Sequence, residues 1–304
     1  MMGKLATYIM AGRLQAATAV LGFVVLAFVF PPLSLLSGAA LALVTLRSGA
    51  SDGLQVAALA LAVATALGWL ALGTPSAGLI FGLVQWAPVF ILALVLRYTI
   101  SLRIAVGTAA VLGLVLLGVL HATVPDLAAL WTAVLDEYFR TNLEQVEVPA
   151  EQIDETLQTA SVIMTGAVVS SLMFVAVLSL LIARWWQSVL YNPGGFRSEF
   201  QELRLGRPLA IVGPALLVAA YLQKSGVLTE AALVALLPFL LQGIAVVHGL
   251  SARSANPVPW LIGLYAMLII VMPQMMAGLI ALGVVDNFVD LRRRFATGKG
   301  RGED

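Results

Sequence analysis

Cysteine is absent from the 304 residues. That excludes a disulfide framework, a thiolate nucleophile, a thiolate zinc site and a cysteine-held iron–sulfur cluster. Histidine occurs twice, too rarely for a histidine-rich metal site. Charge is scarce as well. Asp, Glu, Lys and Arg make up 11% of the chain, against about 25% in soluble globular proteins. HExxH, HxH, GxSxG and GxxxxGK are all missing, so the usual signatures of zinc hydrolases, serine hydrolases and ATP-hydrolysing engines are not present. No catalytic constellation and no cofactor motif appears, and a non-enzymatic protein without a cofactor is expected.

What is present is hydrocarbon. Apolar residues make up 61% of the chain and mean hydropathy is +0.98. They fall in long runs, which excludes a soluble enzyme, a disordered tail and a nucleic-acid module. An all-α, polytopic transmembrane helical bundle is expected, with the lipid bilayer as its surroundings. The runs are Leu14–Phe30, Leu33–Leu46, Leu54–Leu72, Leu79–Leu96, Ile104–His121, Ser161–Ala183, Leu209–Leu222, Ala231–Leu250 and Trp260–Val289. Pro31-Pro32 separates the first two as a hairpin, because two consecutive prolines remove two backbone donors. The first run has the basic start of a signal peptide, but no small-residue cleavage site follows, so a retained helix is expected. The last run would be about 45 Å long as one helix, more than a ~30 Å hydrocarbon core, and Pro273 sits near its middle. It either turns back there or crosses once as a tilted, kinked helix.

Arginine and lysine set the orientation. With a cytoplasmic N-terminus and alternating spans, the inner segments are 1–13, 47–53, 97–103, 184–207, 251–258 and 290–304. They hold 15 of the 17 basic residues if the last run folds back at Pro273, and 10 if it does not. The bias favours the fold-back, with both termini cytoplasmic and the 122–160 loop outside. That loop holds eight of the sixteen acids. Within it, Leu127, Leu130, Trp131, Val134, Leu135, Tyr138 and Phe139 recur at helical spacing, which predicts an amphipathic helix. Pro149 suits the first turn of a second helix leading into Ser161. The loop reads as a solvated helical cap, or as a lid or landing surface for a periplasmic partner or a cation.

Few polar residues lie in the spans: Gln85, Gln242, His248, Gln274 and Asp286. Each reads as interhelical glue or as a site. Gly78 and Gly82 make a GxxxG close-packing face. Asp286, Asp290 and Arg294 are spaced by four, which predicts an ion pair at a helix end. Arg292-Arg293-Arg294 would then meet anionic headgroups. Asp286 is the acid most suited to handling a proton or cation. In the segment 184–207, Trp185-Trp186 read as an interfacial belt and Asn192-Pro193-Gly194-Gly195 as a turn. Phe196, Phe200 and Leu203 with Arg197, Arg204 and Arg207 read as an amphipathic stretch on the cytoplasmic face, for anchoring or for docking a cytoplasmic protein.

Three stretches carry a resemblance. They are Leu190-Tyr191-Asn192-Pro193-Gly194-Gly195-Phe196-Arg197, the run Leu241–His248, and the closing Leu282–Arg294. Together they resemble the YybS-like family of bacterial membrane proteins of unknown function, best over residues 160–294, which implies a bacterial cytoplasmic membrane. The N-terminal part, with its helix ending at Pro31 and the stretch Leu46–Gly53, is similar to the substrate-binding S components of energy-coupling-factor vitamin transporters and to the rod-shape protein MreD. That resemblance implies a six-helix core over 1–183. A cytoplasmic segment, 184–207, and additional spans with a basic tail, 208–304, would follow. Two functional expectations result. One is binding or transport of a small solute or lipid-like molecule, with Gln85, Trp86, His121 and Trp131 lining its pocket. The other is a non-catalytic scaffold of the MreD kind that works through its faces.

Overall fold

The computed structural model describes residues 2–143 and 150–298. They are helical almost throughout, and no strand occurs among them. In chain order the helices are α1 (Met2–Ile9), α2 (Arg13–Ala27), a 3-10 turn (Pro31–Leu33), α3 (Ser34–Ser48), α4 (Ala50–Leu72), α5 (Pro75–Thr99), α6 (Leu102–Thr123) and α7 (Leu127–Leu143). Then follow α8 (Ala150–Tyr191), α9 (Gly195–Gln201), α10 (Arg207–Gln223), α11 (Gly226–Leu236), α12 (Pro238–Ser251), α13 (Val258–Ile270), α14 (Met272–Val289) and α15 (Leu291–Gly298). Among the described residues, six stretches are long and apolar enough to cross a membrane, and α2, α10 and α13 are shorter apolar helices. The expected all-α polytopic bundle is therefore what the chain forms.

The bundle is built around α3. Ten consecutive residues, Ser37 to Leu46, are buried, and α2, α4, α5 and α8 surround them. Small residues make this possible. Ser37, Gly38, Ala39, Ala40 and Ala42 let neighbouring backbones come close, and a Cβ on Gly38 would collide with Ser179 of α8. The Pro31-Pro32 turn feeds α3 into this slot from α2, with Phe30 extended ahead of it (φ −137°, ψ 93°), as a residue before proline should be. At the other end a single residue, Gly49, reverses the chain into α4 at φ 112°, a conformation for which glycine is suited. Arg97 closes that corner by donating to the carbonyls of Leu46 (2.5 Å) and Arg47 (3.1 Å). Gly78 and Gly82 do form a close-packing face. A Cβ on Gly78 would run into the Ala64 carbonyl of α4.

The last apolar run folds back. The helix breaks at Val271 (φ −128°, ψ 53°), with Pro273 in the first turn of α14. Leu264 of α13 packs with Leu279 of α14, and Met267 and Met275 line one groove. So α14 retraces the path of α13. Both flanks of the hairpin meet where Arg253 donates to the Arg292 carbonyl. The 231–250 run is also interrupted, at Leu237 and Pro238, where α11 passes into α12.

Two features of the 184–207 segment differ from the sequence reading. Residues 184–191 are not loop, because α8 continues without a break to Tyr191. Trp185 is exposed, as an interfacial residue should be. Trp186 is fully buried in the core, and its Nε1 has no hydrogen-bond partner. Helical periodicity carries its ring inward, 100° away from its neighbour. The expected amphipathic helix of the 122–160 loop is α7, which packs lengthwise on α8. Pro149, Glu144 and Glu147 lie outside the described residues, as do Lys299 and Arg301.

Candidate functional site

Basic residues collect at one end of the bundle. The ends of α3, α5, α8, α12 and α14 and the starts of α4, α6 and α10 lie there. Arg13 pairs with Asp52 at 2.5 Å, Arg184 with Glu199 at 2.8 Å, and the Arg47 guanidinium lies 4.2 Å from the Tyr191 ring centre. At this end the non-helical segment 202–206 is threaded between α12 and α14, and side chains satisfy its backbone. Gln242 Oε1 accepts from the Leu205 N–H at 2.9 Å, and Asn287 Oδ1 accepts from the Gly206 N–H at 2.8 Å. Arg292 donates to the carbonyls of Gln201 and Leu203. Segments without helical hydrogen bonds must find such partners when buried.

Asp286 is the hub. It is fully buried. Its Oδ2 accepts from Arg292 Nη2 at 2.6 Å and from Gln242 Nε2 at 3.1 Å, and Arg204 Nε lies 3.4 Å away. Its Oδ1 accepts from the Leu291 N–H at 3.2 Å. A carboxylate in the last turn of a helix opposes the macrodipole, and two guanidiniums offset it. Asp290 ends α14 in the left-handed region at φ 49°. It pairs with Arg204 at 2.5 Å, not in the i, i+4 pair with Arg294 that its spacing suggested. The Arg204 hydrogen bond holds the Asp290 carboxyl below its ordinary range, against a smaller opposing effect of burial. The same bond raises the Arg204 guanidinium, and burial again opposes it. Arg292 does not reach for headgroups as expected. It turns inward and is 6% exposed. His248 joins the periphery of this region, with Nε2 3.0 Å from the Tyr265 hydroxyl and its ring edge-on to Phe200.

The four residues expected to line a pocket bond to different helices, and none bonds to another of the four. Gln85 Nε2 donates to the Ser34 carbonyl at 3.1 Å. Trp86 Nε1 donates to Ser37 Oγ at 3.0 Å, and that hydroxyl donates on to the Val20 carbonyl at 2.8 Å. This relay stitches α5, α3 and α2. Trp131 Nε1 donates to Thr165 Oγ1 at 2.9 Å, joining α7 to α8. His121 Nε2 lies 2.6 Å from Glu230 Oε2, and Glu230 Oε1 accepts from the Gly166 N–H at 2.9 Å. Glu230 is 2% exposed, at the end of the bundle away from the arginines. Gly166 and Arg184 on α8 are about 27 Å apart by helical rise, close to a hydrocarbon thickness.

Sequence reasoning missed Glu230, Arg204, Arg292 and Asn287 as site residues. Glu230 stands one residue ahead of the run that begins at Ala231, so it was counted with the loop. A buried Asp286 demanded a cation at the same end, and that was the available signal for Arg204 and Arg292.

A small cavity, about 10 Å³, lies between α6, α8, α11 and α12. It is room for about one water. Its lining is apolar apart from Ser170, whose Oγ has no hydrogen-bond partner. Larger clefts open on the surface. One of about 510 Å³ lies at the arginine-rich end, next to the Asp286 hub.

Apolar spans joined by buried polar bonds, with basic residues gathered at one end, define a multi-pass helical membrane protein. Comparison with protein-family models, curated proteins and solved structures found no match.

Proposed function

We propose that the chain is a non-catalytic membrane scaffold whose working surface is its arginine-rich end, the face formed by α9, the 202–206 segment, Asp290 and the first turn of α15. The observation that carries this reading is the use made of buried polarity. Gln242, Asp286, Asn287 and Arg292 converge to hold five residues of irregular backbone in one shape. Burying charge is expensive, and its best-attested return is structural uniqueness. Here that uniqueness is spent on a surface. Within the bundle, Gln85, Trp86, Trp131 and His121 act as ties between helices, as polar residues in membrane helices commonly do. The resemblance to MreD agrees with this reading. On the resemblance to the YybS-like family, the membrane is a bacterial cytoplasmic one and the arginine-rich end faces the cytoplasm.

A photoreactive amino acid at exposed Arg197 or Arg207 tests the proposal in cells. Both positions should cross-link to the same protein, while lipid-facing Ile211 should not. No adduct above the Ile211 background at either position would sink the reading. The second reading, transport of a small solute through an S-component-like bundle, is favoured by one observation: the buried Glu230 carboxylate tied to His121 near the other membrane face. Solute uptake by vesicles holding the protein, lost in Glu230→Gln, would turn the conclusion toward it.

A further inference from the structure

The cleft at the basic end has a composition that scaffolding does not explain. It measures about 510 Å³, and its walls include Arg204, Arg253, Arg292 and Arg293 against two carboxylates, Glu202 and Asp290. The wall therefore carries four positive and two negative charges. The guanidiniums are not used equally. Arg292 is occupied by the Gln201 and Leu203 carbonyls and by Asp286. Arg204 gives Nη2 to Asp290 and Nε to Asp286, which leaves Nη1. Arg253 is exposed and gives Nη1 to the Arg292 carbonyl, which leaves Nε and Nη2. These two side chains line the same cleft, and both have donors with no described bond.

The geometry points to a binding site for a phosphate-bearing anion in this cleft, held chiefly by Arg253 and Arg204 above a floor made by Arg292. Guanidinium presents paired N–H donors at the spacing of two phosphate oxygens and keeps its charge at any working pH. The net positive charge on this concave surface favours a negative ligand. The volume falls within the range of small-ligand sites. With Asp286 behind Arg292, the cluster holds four guanidiniums and three carboxylates, which leaves a net charge of +1. The backbone around the cleft is also rigidly specified, since the 202–206 segment is bonded at Leu203, Leu205 and Gly206. A preorganised cation pair loses little entropy on binding. The phosphate belongs either to the headgroup of an anionic lipid in the adjoining leaflet or to a water-soluble phosphate compound. This site does not depend on the scaffold reading. A docking surface exists without it, and cross-linking at Arg197 is a separate measurement.

The test uses the full chain in neutral detergent and in phosphatidylcholine vesicles. Thermal unfolding is followed with increasing pyrophosphate at constant ionic strength, and with increasing phosphatidylglycerol in the vesicles. At least one ligand should raise the Tm saturably. Arg253→Gln should then weaken half-saturation about tenfold or more, the size of a lost charge-assisted pair. Arg207→Gln, exposed at the same end but outside the cleft, should leave it unchanged. Arg253→Lys guards against misfolding. It keeps the charge and loses the fork, and half-saturation should shift severalfold with the unliganded Tm intact. Stabilisation by phosphatidylglycerol alone identifies a lipid headgroup, and stabilisation by pyrophosphate identifies a soluble phosphate compound. No saturable shift with either ligand overturns the proposal. So does equal loss in Arg253→Gln and Arg207→Gln, which would mean bulk basicity, or unchanged half-saturation in both Arg253 variants.

Discussion

Replacing Asp286 with asparagine is the sharpest probe of the basic-end network. The substitution changes almost no volume, so packing is preserved. It removes the charge that Arg292 and Arg204 face at 2.6 and 3.4 Å. It also turns one acceptor into a donor. Asp286 accepts from Arg292, Gln242 and the Leu291 N–H through its two oxygens. An amide has one carbonyl oxygen, so at least one of these donors must meet an NH₂ group. Breaking a buried pair by removing one partner costs about 3–5 kcal/mol. The lower end applies here, because Arg292 keeps the Gln201 and Leu203 carbonyls. A loss of about 3 kcal/mol corresponds to a fall in Tm of about 6–12 °C at the scale known for chains of 150–250 residues. Arg292→Met should cost a similar amount, since it strands the carboxylate. The Asp286→Asn/Arg292→Met double variant should cost clearly less than the sum of the two single changes, because no buried charge is left alone. Thermal unfolding of the four proteins in one detergent provides the cycle. Single variants within about 1 kcal/mol of wild type, or a strictly additive double variant, would refute the hub.

Gly243→Ala should separate α12 from α14, because the new Cβ would overlap the Leu279 carbonyl, a backbone atom with little freedom to move. Overpacking of this kind costs about 1–3 kcal/mol, read as a lower Tm, whereas Gly263→Ala, where nothing lies within 4 Å, should be silent. The Arg204–Asp290 brace has a definite pH sign. The folded carboxyl lies below its ordinary value of 3.8, so its stabilisation is present above that pH and is lost as pH falls below it. Between pH 7 and pH 5 the brace should contribute no change in Tm, and Asp290→Asn should flatten only the acid limb of the profile. The natural lack of cysteine allows single-cysteine mapping without a background. Cysteines replacing Tyr98, Arg253 and Arg293 should react from one side of the membrane, and one replacing Lys224 from the other.

Much of the fold was legible because hydrocarbon imposes simple rules. The long apolar runs became helices, the Pro31-Pro32 pair became a turn, and charge asymmetry correctly chose a folded-back hairpin for the last run. Pro273 marked the break, but the corner falls at Val271, because proline is accommodated in the first turn of a helix that begins just ahead of it. The 184–191 stretch was taken for loop because its arginine and two tryptophans look interfacial. Burial of Trp186 depends on which side of α8 meets α3, and no local pattern states that. The site was less legible still. Asp286 and Gln242 stood out as polar residues in apolar runs, but their partners Arg204 and Leu205 sit in a segment that is polar anyway. In such a segment one more arginine carries no signal. Glu230 was hidden by its position one residue outside a run.

The two ends of the bundle solve the same electrostatic problem differently, and the difference bears on function. Near one membrane face, a single buried carboxylate, Glu230, is met by one imidazole and one backbone N–H. That is the least that stabilises a buried acid, and it ties α6, α8 and α11 together. At the other face, Asp286 is met by two guanidiniums, an amide and a backbone N–H, more than a buried carboxylate requires. Arg204 is shared with Asp290 at the edge of an open cleft, and Arg253 lines the same cleft beside it. Had the arrangement served stability alone, apolar residues of the same volume would have done as well or better. An excess of positive charge, fixed in place by buried bonds and then presented to solvent at the membrane surface, is the arrangement expected of a surface that meets something negative.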